Sequence, residues 1–182
     1  MDPLTWSFTE QRFFDLLNAP LHNPDMIWMV LPLGVALIAM QFYFGRYSKE
    51  ELGWDSFVSN TIVLFFVAID LLRHIYNLLP ADPLNFFLYP FKTTAALIVA
   101  VESVTLFFAD FFHFLPKKLA FLISSPLPVN LTAYVAMTIV YSDIPLDVYT
   151  LYAALLLFIL LFIASSIIQH IVHYFWEAPQ KE

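Results

Sequence analysis

The sequence predicts an all-α integral membrane helix bundle, and three observations lead to this fold class. Hydrophobic residues make up 60% of the 182-residue chain and charged residues only 13%. The mean hydropathy of +0.75 is far above that of a water-soluble domain. Apolar stretches of about 20 residues, the length that crosses a bilayer as a helix, recur along the chain and are separated by short polar connectors. We therefore expect about five transmembrane helices.

Five apolar stretches are long enough to be spans. The predicted spans are Met26–Phe44, Phe57–Leu79, Thr93–Phe114, Leu119–Tyr141 and Tyr149–Phe175. The fourth contains "SSPLP" at 124–128, and because proline has no amide donor, we expect a broken or re-entrant helix there. If this stretch does not cross the membrane, four spans remain and both termini lie on one side.

The amino-terminal region is predicted to differ from the rest of the chain. We expect residues 1–25 to form an interfacial amphipathic segment and residues 26–182 to form a single transmembrane helix-bundle domain. The stretch "SFTEQRFFDLLNAP" carries a capping-box pattern, Ser7 followed by Glu10, and an apolar face. A short helix that starts at Ser7 and ends at Pro20 is the prediction. A flexible tail with chance periodicity is the alternative.

Charge and residue usage exclude several classes of protein. The net charge of -7, without a basic run, argues against nucleic acid as a partner. Zero cysteines exclude disulfides and thiolate metal sites. The three glycines are scattered, which excludes glycine-rich nucleotide loops and the nucleophile elbow of serine hydrolases. We therefore expect no nucleotide cofactor and favour a function without enzymatic activity.

The distribution of Lys and Arg predicts the orientation in the cell membrane. One predicted side carries Arg46, Lys49, Lys117, Lys118 and Lys181, whereas the other carries Arg12 and Lys92. Because cytoplasmic loops retain basic residues, the amino terminus is predicted to lie outside and the carboxyl terminus in the cytoplasm.

Ionisable residues inside two predicted spans form the first candidate site. Asp70, Arg73 and His74 share one face of the second span. Glu102 lies at a comparable depth in the third span. Since an isolated charge in hydrocarbon is costly, we expect these residues either to form buried ion pairs, such as Arg73 with Glu102 or with Asp70, or to line an ion path.

A second candidate site lies near the predicted inner ends of two spans. Asp110 and His113 belong to the third span, and His170 and His173 to the fifth. Three imidazoles and one carboxylate match the ligands of a tetrahedral zinc site or another transition-metal site. In the alternative interpretation the protein has no cofactor, and these histidines reach the water at the membrane interface.

Three stretches in the first third of the chain carry a resemblance. "NPDMIW" at 23–28, "FYFGRY" at 42–47 and "EELGWDS" at 50–56, followed by Asn60, resemble a group of small multi-pass membrane proteins from archaeal genomes. The resemblance implies an archaeal membrane protein. It carries over no catalytic or binding residue, because these motifs belong to loops and span ends.

Three functional classes are compatible with these patterns. The first is a non-enzymatic helix-packing subunit or scaffold, which contacts the lipid bilayer and associates with itself or with other membrane subunits. The second is a proton or small-cation channel or transporter that uses Asp70, His74 and Glu102. The third is a membrane metalloenzyme that uses the histidine and aspartate cluster.

Overall fold

A computed structural model of the chain describes residues 3–47, 53–77 and 87–176. Within these ranges the chain folds into helices and contains no β-strand. The helices are α1 (Pro3–His22), α2 (Pro24–Arg46), α3 (Trp54–Asn77), α4 (Pro90–Phe111), α5 (Lys117–Ser124), α6 (Pro126–Ser142) and α7 (Val148–Trp176). Lys49, Lys181, the predicted span end at Leu79 and the start of "EELGWDS" lie outside the described ranges.

Among the described residues, five helical segments are long and apolar enough to cross a membrane, when α5 and α6 are taken as one segment. They are Pro24–Arg46, Trp54–Tyr76, Pro90–Phe111, Lys117–Ser142 and Val148–Trp176. The prediction of an all-α membrane bundle with about five spans is confirmed. Large apolar side chains such as Trp28 and Phe66 point outward, as expected where the solvent of the protein is lipid.

Helix α6 occupies the centre of the bundle, where it contacts all six other helices. Its inward residues are small or flexible, as at Ala133 and Met137, and both are almost fully buried. They pack against Leu64 and Val67 of α3 and Val99 of α4 in one apolar cluster. Helices α3 and α4 form the most extensive pair. This cluster fills the middle of the described bundle with apolar side chains.

Helix α1 is longer than predicted at both ends. It begins at Pro3, so Ser7 lies inside the helix and the predicted start at the capping box is wrong. It also continues through Pro20 to His22, so the predicted stop is wrong as well. Helix α1 packs mainly against α7 and also contacts α2 and α6. Its position at the membrane interface stays a prediction.

A long-range hydrogen bond explains why α1 continues past its proline. Pro20 has no N–H, so the carbonyl of Leu16, four residues earlier, loses its helical donor. The Tyr134 hydroxyl of α6 donates to this carbonyl oxygen at 2.6 Å. Because Leu16 is completely buried, water cannot take the place of this donor, and Tyr134 stabilises the proline-containing turn.

The predicted break in the fourth span is present at Ser125, which has an extended backbone (φ -71°, ψ 161°) between α5 and α6. Pro126 occupies the first turn of α6, where a missing amide donor is tolerated. Asn60 of α3 donates its Nδ2 hydrogen to the Ser124 carbonyl oxygen at 2.9 Å. This bond satisfies a carbonyl that the break leaves without a helical donor.

Candidate functional site

Near the carboxyl end of α3 lies the Asp70 cluster, which we define as Asp70, His74 and Tyr141. The Tyr141 hydroxyl donates to Asp70 Oδ2 at 2.8 Å. The His74 ring stacks on the Tyr141 ring, with centroids 3.9 Å apart and an angle of 26° between the planes. Asp70 and His74 are one helical turn apart, so α3 presents both to the same side of α6.

The pairing of Arg73 with Glu102 or with Asp70, expected as one alternative, does not occur among the ion pairs of the described residues. Those pairs are Arg12–Asp15 at 3.3 Å, Arg12–Asp147 at 3.5 Å and Lys92–Asp143 at 2.7 Å. Arg73 is exposed. The contact of the Tyr76 hydroxyl with Thr93 Oγ1, at 3.4 Å, sets the register of α3 against α4. In that antiparallel register, Glu102 lies about 9 Å deeper than Arg73.

Glu102 lies on the outer surface of α4. It is partly exposed and borders a shallow depression that α4 alone forms, together with Thr94, Leu97, Ile98 and Val101. The neighbouring Ser103 is fully buried and donates to the Ala100 carbonyl oxygen at 2.8 Å. Within the described part of the chain, Glu102 makes no hydrogen bond or ion pair. Its carboxylate therefore faces the surroundings of the bundle rather than α3.

A different arrangement surrounds Asp110, at the level of the break in the fourth span. Asp110 has no exposed surface, and neither of its carboxylate oxygens has a hydrogen-bond partner in the described ranges. Ser124 is its polar neighbour, but the geometry between them makes no hydrogen bond, and Ser124 Oγ is also buried without one. We call Asp110, Ser124 and Asn60, which reaches the Ser124 carbonyl, the Asp110 centre.

The Asp110 centre contains a buried carboxyl group that is not matched by a positive charge among the described residues. A carboxylate removed from water costs several kcal/mol unless a proton, a positive side chain or a cation compensates it. None of the three ion pairs found in the described residues includes Asp110. The two carboxylate oxygens of Asp110 can accept hydrogen bonds or coordinate a cation, and neither receives a hydrogen bond from a described residue.

The histidines predicted as metal ligands do not form a metal-holding group with Asp110 in the described part of the chain. His113 is exposed, has a left-handed backbone (φ 55°) and stacks on the Trp54 ring, with centroids 4.2 Å apart. His170 is exposed and His173 is half-buried on α7. The described residues contain no group of three or more His, Asp or Glu side chains placed to hold a metal ion. The transition-metal site stays a prediction.

The Asp70 cluster and the Asp110 centre lie at different depths of the bundle. Asn60 and Asp70 are ten residues apart on α3, which corresponds to about 15 Å along the helix. Buried apolar side chains, among them Leu64 and Val67, occupy the interval and pack against α4 and α6. The buried hydroxyls of Thr61 and Ser103 in this interval donate to carbonyls of their own helices, so they do not link the two groups.

Outside the spans, Asp147 links the connector after α6 to two helices. It accepts hydrogen bonds from the N–H of Thr150, at 2.8 Å, and from its hydroxyl, at 3.0 Å, and so caps α7. Arg12 of α1 lies 3.5 Å from its other oxygen. Burial raises the pKa of Asp147, but the hydrogen bonds from Thr150 and the charge of Arg12 outweigh burial and hold the pKa below its ordinary value.

Sequence reasoning found the charged members of these sites and missed most of their partners. Tyr141 is 71 residues from Asp70, and only the packing of α6 against α3 brings them together. The cap by Asp147 had a local signal, an aspartate three residues before Thr150 at the start of an apolar run.

Comparisons with known proteins found no relative of the chain. No protein-family model, curated protein or solved structure matches the chain. The archaeal origin implied by the resemblance in the first third of the chain therefore stays a prediction. The helix composition and the five apolar segments fit a multi-pass membrane protein.

Proposed function

We propose that the protein is a non-enzymatic helix-packing subunit that associates with a second copy of itself through the outer surface of α4. The observation that carries this proposal is the position of Glu102. It is an ionisable residue on the lipid-facing side of a span, and it has no partner within the described residues.

The depth of Glu102 makes its exposure costly. It lies about 18 Å from the start of α4 at Pro90 and about 14 Å from the end at Phe111, so it is near the middle of the bilayer. A charged side chain at the centre of a spanning helix costs about 2.5–3.5 kcal/mol on insertion scales. A partner helix that supplies a hydrogen-bond donor removes much of this cost, which favours association at this place.

The exposed surface around Glu102 has the spacing of a helix–helix seam. Exposed residues follow one another at alternating intervals of three and four, which is the spacing of the positions that meet in a coiled coil. Glu102 directly flanks this seam. The seam consists of Phe91, Thr94, Ile98, Val101, Thr105 and Phe108.

A second copy of the chain is the partner that this surface fits. In a contact with two-fold symmetry, each seam meets the same seam of the other copy, so the two Glu102 carboxyl groups approach each other. Two carboxyl groups that share one proton act as donor and acceptor, and no basic residue of another protein is required. The Thr105 hydroxyl, about one turn away, lies on the same surface.

An ion path through Asp70, His74 and Glu102 has less structural support. Asp70 and His74 lie between α3 and α6, whereas Glu102 faces outward from α4. The apolar cluster that contains Leu64 and Val99 fills the bundle between the polar groups. A path along these three residues would have to leave the bundle interior at mid-membrane.

The oligomeric state in lipid nanodiscs or mild detergent tests the proposal. Native protein is expected to be dimeric by native mass spectrometry, and Glu102→Leu is expected to be monomeric because it removes the polar contact. Glu10→Leu, the same change at an exposed glutamate of α1, is the control and should remain dimeric. A native monomer, or a Glu102→Leu variant as dimeric as the native protein, contradicts the proposal.

The orientation forms a separate part of the proposal. From the excess of basic residues at Arg46, Lys117 and Lys118 we infer that the turn at 112–116 faces the cytoplasm and α1 lies outside. The chain has no cysteine, so Ser7→Cys and Lys118→Cys each introduce a single thiol. A reagent that cannot cross the membrane should label them from opposite sides, and labelling from the same side contradicts the orientation.

A further inference from the structure

We propose that the Asp110 centre binds one monovalent hard cation, Na⁺ or K⁺. The site lies on the inner face of α4 and is independent of the association proposed for the outer face. It rests on a carboxylate with no exposed surface, whose two oxygens have no hydrogen-bond partner in the described part of the chain.

The donor atoms of the centre are all oxygens. Asp110 contributes two, and the Ser124 hydroxyl, which is buried and without a hydrogen bond in the described ranges, contributes a third. The Ser124 carbonyl accepts from Asn60 and retains a second lone pair. Oxygen ligands select hard cations over transition metals.

The charge of the centre fits a cation of unit charge. One carboxylate supplies a single negative charge, and a divalent ion such as Ca²⁺ is usually held by more carboxylates. No group of three His, Asp or Glu side chains able to hold a metal ion occurs among the described residues. A single Na⁺ or K⁺ neutralises Asp110 without a further charged ligand.

Apolar side chains enclose the centre from both directions along the bundle. On α3, Asn60 lies one turn from Phe57 and one turn from Leu64, and both of these residues are fully buried. On the fourth span, Ala120 and Val129 flank the serine of the centre and are buried as well. They belong to two different apolar clusters. Enclosure limits access of water, so the carboxylate must be compensated inside the protein, and an ion held by the oxygens of the centre would do this.

The helix break leaves carbonyl oxygens without helical donors beside Ser124. The last carbonyls of α5, which ends at Ser124, lack helical donors and form the negative end of the helix dipole. Non-helical backbone at membrane depth is tolerated where it is buried in protein or lines a polar site. The non-helical backbone at Ser125 is next in the chain to the serine of the centre, and such backbone is compatible with a bound cation there.

Thermal unfolding in detergent at equal ionic strength tests this site with three salts, NaCl, KCl and choline chloride. At a concentration about 100 times the Kd, the bound ion should raise the Tm of the native protein by about 5–10 °C over choline. The salt that produces the larger rise identifies the ion. Ser124→Ala, which keeps the carboxylate, should need a higher concentration of that ion for half of the rise.

Two further variants separate binding at the centre from general salt effects. Asp110→Asn should lose the difference between the salts, and in choline it should melt no lower than the native protein, because the uncompensated charge is gone. Asp55→Asn, at an exposed aspartate of α3, should keep the full difference. The proposal is overturned if the native protein has the same Tm in all three salts, or if Asp110→Asn keeps the native response.

Discussion

Replacing Tyr134 by phenylalanine should destabilise the bundle through a carbonyl on another helix. Its hydroxyl donates at 2.6 Å to the Leu16 oxygen, which has no helical donor because Pro20 lies four residues later. Leu16 is fully buried, so Tyr134→Phe leaves an acceptor without a partner and without water. Such a group costs about 1–3 kcal/mol. At about 2–4 °C per kcal/mol for a chain of this size, the Tm should fall by about 2–12 °C.

Restoring the missing amide should rescue the variant. Pro20→Ala supplies an N–H that reaches the Leu16 carbonyl inside the helix, so the hydroxyl of Tyr134 is no longer required. Tyr134→Phe should therefore have little effect on the Tm in the Pro20→Ala background. Tyr152→Phe, at an exposed tyrosine of α7, is the control and should leave the Tm unchanged.

The assay is a double-mutant cycle of thermal unfolding in one detergent at one protein concentration. The coupling between the two positions should be about as large as the loss in Tyr134→Phe alone. Equal losses of Tm in the native and Pro20→Ala backgrounds would refute the role given to the hydroxyl. The helix would then tolerate Pro20 for another reason.

Two further predictions concern the contact of α2 with α7 and the connector before α7. Gly45→Ala should destabilise by about 1–3 kcal/mol in thermal unfolding, because the new Cβ would lie 2.6 Å from Val172 Cβ, whereas Gly34→Ala, which meets nothing within 4 Å, should be neutral or stabilising. Hydrogen bonds and Arg12 lower the pKa of Asp147 despite burial. The ionised Asp147 carboxylate therefore stabilises the folded protein fully above its unfolded pKa of about 3.9, and this stabilisation is lost as the pH falls through the lower folded pKa. The Tm of the native protein should accordingly drop further below pH ~4 than that of Asp147→Asn, and a parallel drop in both proteins would contradict the role of Asp147.

The spans were predictable because hydropathy and proline position are local properties of the chain. The apolar stretches predicted the five segments, and "SSPLP" predicted the break that the structure has at Ser125. The end of α1 was not predictable, because the group that stabilises the turn at Pro20 is a hydroxyl on α6, 118 residues from its acceptor. The rule that proline ends a helix considers only neighbouring residues, so it cannot predict this long-range hydrogen bond.

In the candidate sites, too, local sequence patterns predicted some features and tertiary packing decided the others. Helical periodicity predicted that Asp70, Arg73 and His74 share one face of the span, and Asp70 and His74 both contact Tyr141. Comparable depth was not enough to pair Arg73 with Glu102, since the register of the helices and the direction in which Glu102 leaves α4 depend on tertiary packing. For Asp110, the sequence predicted a metal ligand, but it did not predict its neighbour Ser124 or the bond from Asn60 to Ser124.

Disulfide cross-linking tests the self-association through α4 most directly, because the chain has no cysteine of its own. Val101→Cys places one thiol in the middle of the exposed seam, and Ile167→Cys places one at an exposed position of α7. In native membranes under mild oxidation, Val101→Cys should form a covalent dimer and Ile167→Cys should remain monomeric. Equal cross-linking of the two variants, or none at Val101→Cys, would contradict an interface at this surface.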